Sequence, residues 1–212
     1  MSLDVRGKTY EEYLAEAEGP ALVEWENREI VRLMPPKRWH QDLVLMLGSL
    51  MGHYTALLGL GRVLVAPFEM KIRPDGNARE PDVLFVASEH LDRLAAERLN
   101  GPADLIVEVL SDDSASRDRG EKFYEYEEGG VGEYWLCDPR PGKQRIEGYR
   151  LEGGRYRPLS ADARGRLCSS VLPGFWFEEA WLTADRLPDP LALLAAMAPD
   201  ALRRAWEPHQ NK

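Results

Sequence analysis

The chain has 212 residues and a formal net charge of −9 at pH 7, with 44% hydrophobic and 30% charged residues. These proportions are typical of a globular protein and exclude a disordered chain. The negative charge excludes a protein that coats nucleic acid through bulk attraction, although it is compatible with a nuclease that has an acidic metal site.

The N-terminus and the cysteines narrow the class of protein further. No apolar run approaches the roughly 18 residues that span a bilayer, so no membrane partner is expected. The stretch MSLDVRGKTYEEYL lacks the basic-then-apolar pattern of a signal peptide, which predicts a cytoplasmic protein. Cys137 and Cys168 lie far apart in sequence, which disfavours a structural disulfide or a cysteine zinc site.

The first third of the chain predicts a helix, a hairpin and a second helix. Residues 9–18 suggest a short helix capped by Thr9. Residues 21–25 and 29–33 flank a turn around Asn27, which predicts a β-hairpin. Apolar residues at helical spacing between 39 and 58 predict a long amphipathic helix that a glycine loop ends.

The middle of the chain predicts strands, with one helix between the last two. We expect strands at 63–71, 82–86, 104–110 and 133–138, a helix at 118–129, and a modest helix or irregular link at 90–99. The strand at 104–110 carries Glu108 among apolar residues, where an unpaired carboxylate is strongly disfavoured. This strand, helix, strand order is that of a βαβ unit with parallel strands.

The end of the chain predicts β-structure and then helix. Residues 144–151, 155–159 and 167–172 suggest a β-meander, and residues 191–197 a helical stretch. No repeat or linker divides the chain, so residues 1–212 are expected to form one α/β domain. Its core lies at about 38–140, with β-rich extensions at 9–35, which also holds the first helix, and at 141–212. The apolar segment at 173–177 suggests burial against a second copy, hence a homodimer.

Two carboxylates are expected to meet at one edge of the sheet. If the strands at 82–86 and 104–110 pair antiparallel, Asp82 at the start of the first lies beside Glu108 near the end of the second. Close carboxylates repel each other unless they share a proton or bind a cation. Oxygen ligands favour Mg²⁺ or Mn²⁺ over zinc, and the backbone carbonyl of Val109 is a candidate further ligand.

A lysine near such a metal orients an attacking water or stabilises charge on a phosphate. Lys122 is the candidate, because the predicted crossover helix carries it one turn after Asp118. A different interpretation is an exposed ion pair between Lys122 and Asp118, worth a few tenths of a kcal/mol. Likewise, Asp82 alone after a proline is compatible with a simple turn.

The order αβββαβ together with these motifs resembles the PD-(D/E)xK nuclease superfamily and, more closely, its Uma-two family of restriction-type endonucleases. The segments that carry the resemblance are His40-Gln41, Glu80-Pro81-Asp82-Val83, Asp104 to Ser111, Arg117 to Lys122, and Gly130 to Pro139. The resemblance implies a restriction-endonuclease-like fold with a mixed central sheet, and metal-dependent cleavage of DNA.

By this resemblance, Asp82 and Glu108 are metal ligands, Lys122 is the catalytic lysine, and Glu80 and His40 support the site. The chain departs from the superfamily pattern at Leu110, where a lysine is usual. This departure and the acidic net charge leave open a nuclease-fold module that binds or assembles without cutting. A further alternative is a hydrolase of another phosphodiester such as RNA or a nucleotide. His40 is equally compatible with capping or packing at the helix start.

Overall fold

The computed structural model describes residues 7–17, 23–32 and 35–206. Its α-helices are α1 Tyr10–Ala17, α2 Arg38–Leu58, α3 Ala115–Arg119, α4 Glu121–Gly129, α5 Pro190–Met197 and α6 Pro199–Trp206. Its strands are β1 Val23–Glu26, β2 Glu29–Arg32, β3 Gly61–Val65, β4 Glu69–Lys71, β5 Ala78–Arg79, β6 Val83–Ala87, β7 Arg98–Asn100, β8 Leu105–Val109, β9 Glu133–Asp138, β10 Arg145–Glu152, β11 Arg155–Pro158, β12 Arg166–Cys168 and β13 Trp176–Glu178. None of the helices in these ranges has the length and apolar character needed to cross a membrane.

The central sheet has six strands in the order β11-β10-β9-β8-β6-β3. β6 pairs with β8 antiparallel and β8 with β9 parallel, so the sheet is mixed. The order α2, β3, β6, β8, α3–α4, β9 confirms the predicted restriction-endonuclease-like α/β fold.

Both faces of this sheet are buried, because successive side chains along each strand point alternately into one of two apolar cores. Phe85, Val107 and Trp135 face the same core as the apolar side of α2. Leu84 and Ile106 face a second core, to which helix α4 contributes. By the same alternation, Glu108 points to the α4 side, and this position brings it within reach of that helix.

The N-terminal hairpin joins a second sheet, with the order β2-β1-β5-β4-β7. Thr9 begins α1 as predicted, since its hydroxyl accepts the N–H of Glu12 at 3.2 Å and the Glu12 carboxylate accepts the Thr9 N–H at 2.7 Å. The predicted hairpin is present as β1 and β2, while its predicted residues 21, 22 and 33, and residue 18 of the first helix, lie outside the described ranges.

Several predicted elements differ from the structure. The prediction of a single strand at 63–71 is wrong, because these residues form β3 and β4, which belong to two different sheets. Pro67 lies between them and has no N–H with which to continue a ladder. The helix at 118–129 is divided at Gly120, and residues 90–99 contain the end of a 3-10 helix, Ser88–Arg93, and part of β7.

The C-terminal part is not one meander. β10 and β11 extend the central sheet, whereas β12 pairs with β13 in a separate two-stranded sheet. The helix at 191–197 is present as α5, and α6 follows it without having been predicted. In the segment at 173–177, Phe175 and Phe177 are fully buried in the chain's own core, whereas Pro173 and Gly174 are exposed and Trp176 is partly buried. The homodimer stays a prediction.

Candidate active site

Two carboxylates from adjacent strands meet at one edge of the central sheet. Val83 of β6 lies opposite Val107 of β8, so the next position in this antiparallel register sets Asp82 beside Glu108. The backbone nitrogen of Asp82 lies 3.5 Å from Oε2 of Glu108. The N–H of Val109 donates to Oδ2 of Asp82 at 2.8 Å. The strand pairing therefore brings together two acidic residues that are far apart in sequence.

Lys122 reaches this pair from α4 and is only 3% exposed. Its Nζ lies 2.9 Å from Oε1 of Glu108, 3.2 Å from Oε1 of Glu24 and 3.4 Å from Oδ1 of Asp118. Burial lowers the pKa of Lys122, but these carboxylates outweigh burial and raise it well above its ordinary value. Lys122 is thus a fixed positive charge at neutral pH. The interpretation of Lys122 and Asp118 as an exposed ion pair is wrong, since both side chains are buried.

Glu108 is buried at the end of β8 and accepts hydrogen bonds from two side chains. Tyr126 donates its hydroxyl to Oε1 of Glu108 at 3.1 Å, beside the bond from Lys122. Burial raises the pKa of Glu108 to about 8, with Asp118 and Asp82 adding to the increase and Lys122 opposing it. A cation bound at this edge would favour the ionised form.

His40 contacts Asp82 from the first turn of α2. Its Nε2 lies 3.2 Å from Oδ2 of Asp82, and its Nδ1 is buried without a hydrogen-bond partner in the described structure. The N-cap of α2 is Lys37, so His40 does not cap the helix. Its position beside Asp82 is compatible with the supporting role predicted for it.

One further carboxylate has an oxygen that is not satisfied. Within the described residues, Oε2 of Glu80 is buried and accepts no hydrogen bond, whereas the buried Oδ1 of Asp118 lies 3.4 Å from Nζ of Lys122. Burial, together with the carboxylates of Glu24 and Glu69, raises the pKa of Glu80 to about 7. Unsatisfied buried carboxylate oxygens are costly, and a bound cation or proton removes that cost.

The predicted site residues face one cleft of about 1100 Å³ between α2, the edge strand β3 and the ends of β6 and β8. The cleft is lined by every residue that the sequence predicted for the site: His40, Glu80, Asp82, Glu108, Val109, Asp118 and Lys122. Lys37 and Arg117 add positive charge to its wall. The ion-pair cluster is therefore open to solvent on the Asp82 side, where 18% of that side chain is exposed.

The donor set suits a hard divalent cation. Asp82 and Glu108 offer carboxylate oxygens, and the N–H and C=O of Val109 point to the same side of the strand, toward Asp82. Over residues 7–17, 23–32 and 35–206, no three His, Cys, Asp or Glu side chains form a group arranged to hold a metal. Mg²⁺ commonly binds to only one or two carboxylates and completes its shell with water and phosphate. The residues present fit Mg²⁺ or Mn²⁺ in that manner.

Two charged residues of the site were missed from the sequence. Glu24 of β1 is fully buried and contacts Lys122, and Arg79 of β5 is fully buried beside it. Glu24 stands between Val23 and Trp25, a charged residue in an apolar strand like Glu108. That signal was available, but it did not indicate which cation the N-terminal hairpin would meet.

Comparisons with known proteins give the family and the fold of the chain. A family model described as "Uma2: Putative restriction endonuclease" matches residues 9–185. A similar solved structure is the "Crystal structure of a putative nuclease belonging to DUF820 from Anabaena variabilis ATCC 29413 at 1.96 A resolution", with a TM-score of 0.65 and 15% identity. The alignment covers 81% of this chain and 95% of that one, and at this identity it shows a shared fold alone. No curated protein matches the chain.

Proposed function

Since the chain belongs to the Uma2 family, described as "Putative restriction endonuclease", we propose that it is a divalent-metal-dependent endonuclease that hydrolyses phosphodiester bonds of DNA. The observation that carries this proposal is the convergence of Asp82, Glu108 and Lys122 at the floor of an open cleft. Carboxylates and an amine in this arrangement are the groups that metal-assisted phosphodiester hydrolysis uses.

Asp82 and Glu108 would hold Mg²⁺ or Mn²⁺, with the carbonyl of Val109 as a further ligand. When bound, the ion supplies Lewis-acid polarisation of the scissile phosphate and acidification of a water. His40 holds the Asp82 carboxylate in place through its Nε2 at 3.2 Å. The chain itself thus contributes two ligands, and their positions are fixed by strand pairing and by neighbouring hydrogen-bond donors.

Lys122 supplies positive charge to the site and does not accept a proton. The surrounding carboxylates keep its ammonium group protonated, so its role is to stabilise negative charge that develops on the phosphate or to orient a water. Leu110, at the position where the superfamily usually has its lysine, is buried in the core. Lys122 brings an amine to the same glutamate from the following helix.

One observation favours a second candidate, a nuclease-fold module that binds without cutting. Lys122 already contacts three carboxylates and is 3% exposed, so its amine is less accessible than that of a lysine at the surface of a cleft. Metal binding separates the two candidates, because a non-cutting module has no need of an ion at Asp82.

The test is cleavage of supercoiled plasmid, duplex and single-stranded oligonucleotides, and RNA, with Mg²⁺ or Mn²⁺. The wild type is expected to cut DNA, and Asp82→Asn, Glu108→Gln and Lys122→Met each to lose at least about 100-fold of the rate. Asp42→Asn removes an exposed carboxylate that pairs with Arg38, and should leave the rate unchanged. Equal activity in all five proteins would identify a contaminant and contradict the proposal, and cleavage of RNA alone would reassign the substrate.

A further inference from the structure

Glu24 links the N-terminal hairpin to the candidate active site. It lies on β1 and is fully buried, and its two carboxylate oxygens have different partners. Its Oε1 accepts the backbone N–H of Glu80 at 3.2 Å and lies 3.2 Å from Nζ of Lys122. Its Oε2 lies 3.3 Å from Nη1 of Arg79 and 3.8 Å from Nη2 of Arg117. One carboxylate thus contacts both the lysine and the backbone that leads into Asp82.

The contact to Lys122 has a consequence for the metal-bound state. Glu108 both contacts Lys122 and is a proposed metal ligand, so a bound cation would share this carboxylate with the ammonium group. Glu24 and Asp118 are the remaining carboxylates around Nζ. They would keep the ammonium group paired if Glu108 bound a metal ion.

We propose that Glu24 is a positioning residue for the nuclease reaction, which fixes the amine of Lys122 and the backbone of Glu80 relative to the metal-binding edge. This inference rests on the proposed function. Glu24 acts through Lys122 and Asp82 and does not touch the substrate. The N-terminal hairpin, which lies outside the αβββαβ core, then completes the site rather than merely extending the fold.

Glu26 provides a matched control on the same strand. It also pairs with Arg79, at 2.7 Å, and 12% of its side chain is exposed. Lys122 pairs with Glu24, Glu108 and Asp118 but has no contact with Glu26 in the described structure. If activity is lost only because the contacts of Arg79 and the hairpin are weakened, replacing either glutamate should lower it. If activity is lost because Lys122 is displaced, only the replacement of Glu24 should lower it.

The experiment compares Glu24→Gln with Glu26→Gln in the full chain. Glu24→Gln keeps the shape of the side chain and an oxygen for the Glu80 N–H, but removes the charge beside Lys122. We expect kcat for DNA cleavage to fall about 10- to 100-fold in Glu24→Gln, with KM changed less than about 3-fold. Glu26→Gln should remain within about 3-fold of the wild type in both parameters.

A second readout does not depend on activity. Acetic anhydride labelling, read by mass spectrometry, measures how accessible each lysine amine is. Lys122 should label slowly in the wild type and in Glu26→Gln, and at least about 10-fold faster in Glu24→Gln. Lys71, which is 8% exposed and donates to the carbonyl of Gly76, should stay protected in all three proteins and so report an intact fold.

The outcomes are distinct. Equal behaviour of the two variants, in rate and in labelling, would overturn the inference. If Glu24→Gln does not fold, Glu24→Asp keeps the charge and shortens its reach, and full activity with a protected Lys122 in that variant would also overturn it. A wild type without nuclease activity would contradict the proposed function, while the labelling of Lys122 would still decide whether Glu24 positions it.

Discussion

Replacing Arg79 by methionine is expected to destabilise the protein strongly. Arg79 is fully buried, and its guanidinium donates five hydrogen bonds of 2.7–3.3 Å to four carboxylates. These carboxylates come from β1, as Glu24 and Glu26, and from α4, as Glu121 and Glu125. Arg79 therefore joins the N-terminal hairpin to the helix that carries Lys122.

The magnitude follows from the charges that the substitution leaves behind. Although burial opposes it, the positive charges of Lys122, Arg79 and Arg117 hold the pKa of Glu24 below its ordinary value, so this carboxylate is ionised at neutral pH. Removing one partner of a buried ion pair costs about 3–5 kcal/mol, because the other charge remains buried and less compensated. With an m-value of about 2.5 kcal/mol/M, the urea midpoint should fall by about 1.5 M.

The assay is urea unfolding at pH 7, followed by circular dichroism, with Arg38→Met as the control. Arg38 pairs with Asp42 at 3.3 Å but is 87% exposed, so its replacement should cost less than about 1 kcal/mol. Equal shifts of the midpoint in Arg79→Met and Arg38→Met would show that the cluster around Arg79 does not hold the hairpin against α4, which contradicts the prediction.

Three further predictions test other contacts. Tyr126→Phe removes a hydrogen bond to Glu108, so the cleavage rate should fall about 10-fold; an unchanged rate in a kinetic assay would show that this hydroxyl does not position the carboxylate. Gly61→Ala should destabilise by at least about 2 kcal/mol in urea unfolding, because φ is +147° and a Cβ would lie 2.1 Å from the carbonyl oxygen of Val86; wild-type stability would contradict this. Burial raises the pKa of Asp138, but hydrogen bonds from two arginine side chains outweigh burial and lower this pKa to about 2. Because the folded pKa is depressed, Asp138→Asn should lower the free energy of unfolding at pH 7, and the difference should shrink as the pH falls from about 4 through 2; a difference independent of pH would count against an ionic role.

The central strands could be predicted because their pattern is local. Apolar runs at 82–86, 104–110 and 133–138 each form a strand, and the short connection between the first two predicted their antiparallel pairing correctly. That pairing is enough to set Asp82 beside Glu108. The division of 63–71 was harder, because only Pro67 marks it and β4 holds a single apolar residue, Met70, between Glu69 and Lys71.

The contacts of the N-terminal hairpin could not be predicted in the same way. The sequence indicates that Glu24 needs a partner, but not that β1 pairs with β5 and so brings this carboxylate to Arg79 and Lys122. The pairing joins segments more than fifty residues apart, with Trp25 opposite Ala78. Long-range register of this kind depends on the assembled core and leaves no short-range pattern.

The proposed metal site is tested most directly by a crystal structure of the protein soaked in Mn²⁺, with the ion located by its anomalous scattering. We predict a peak bound by the carboxylates of Asp82 and Glu108, with the Lys122 ammonium beside it and no peak in crystals of Asp82→Asn. A peak elsewhere, or none in the wild type at millimolar Mn²⁺, would contradict the claim that these two carboxylates form the metal site of a nuclease.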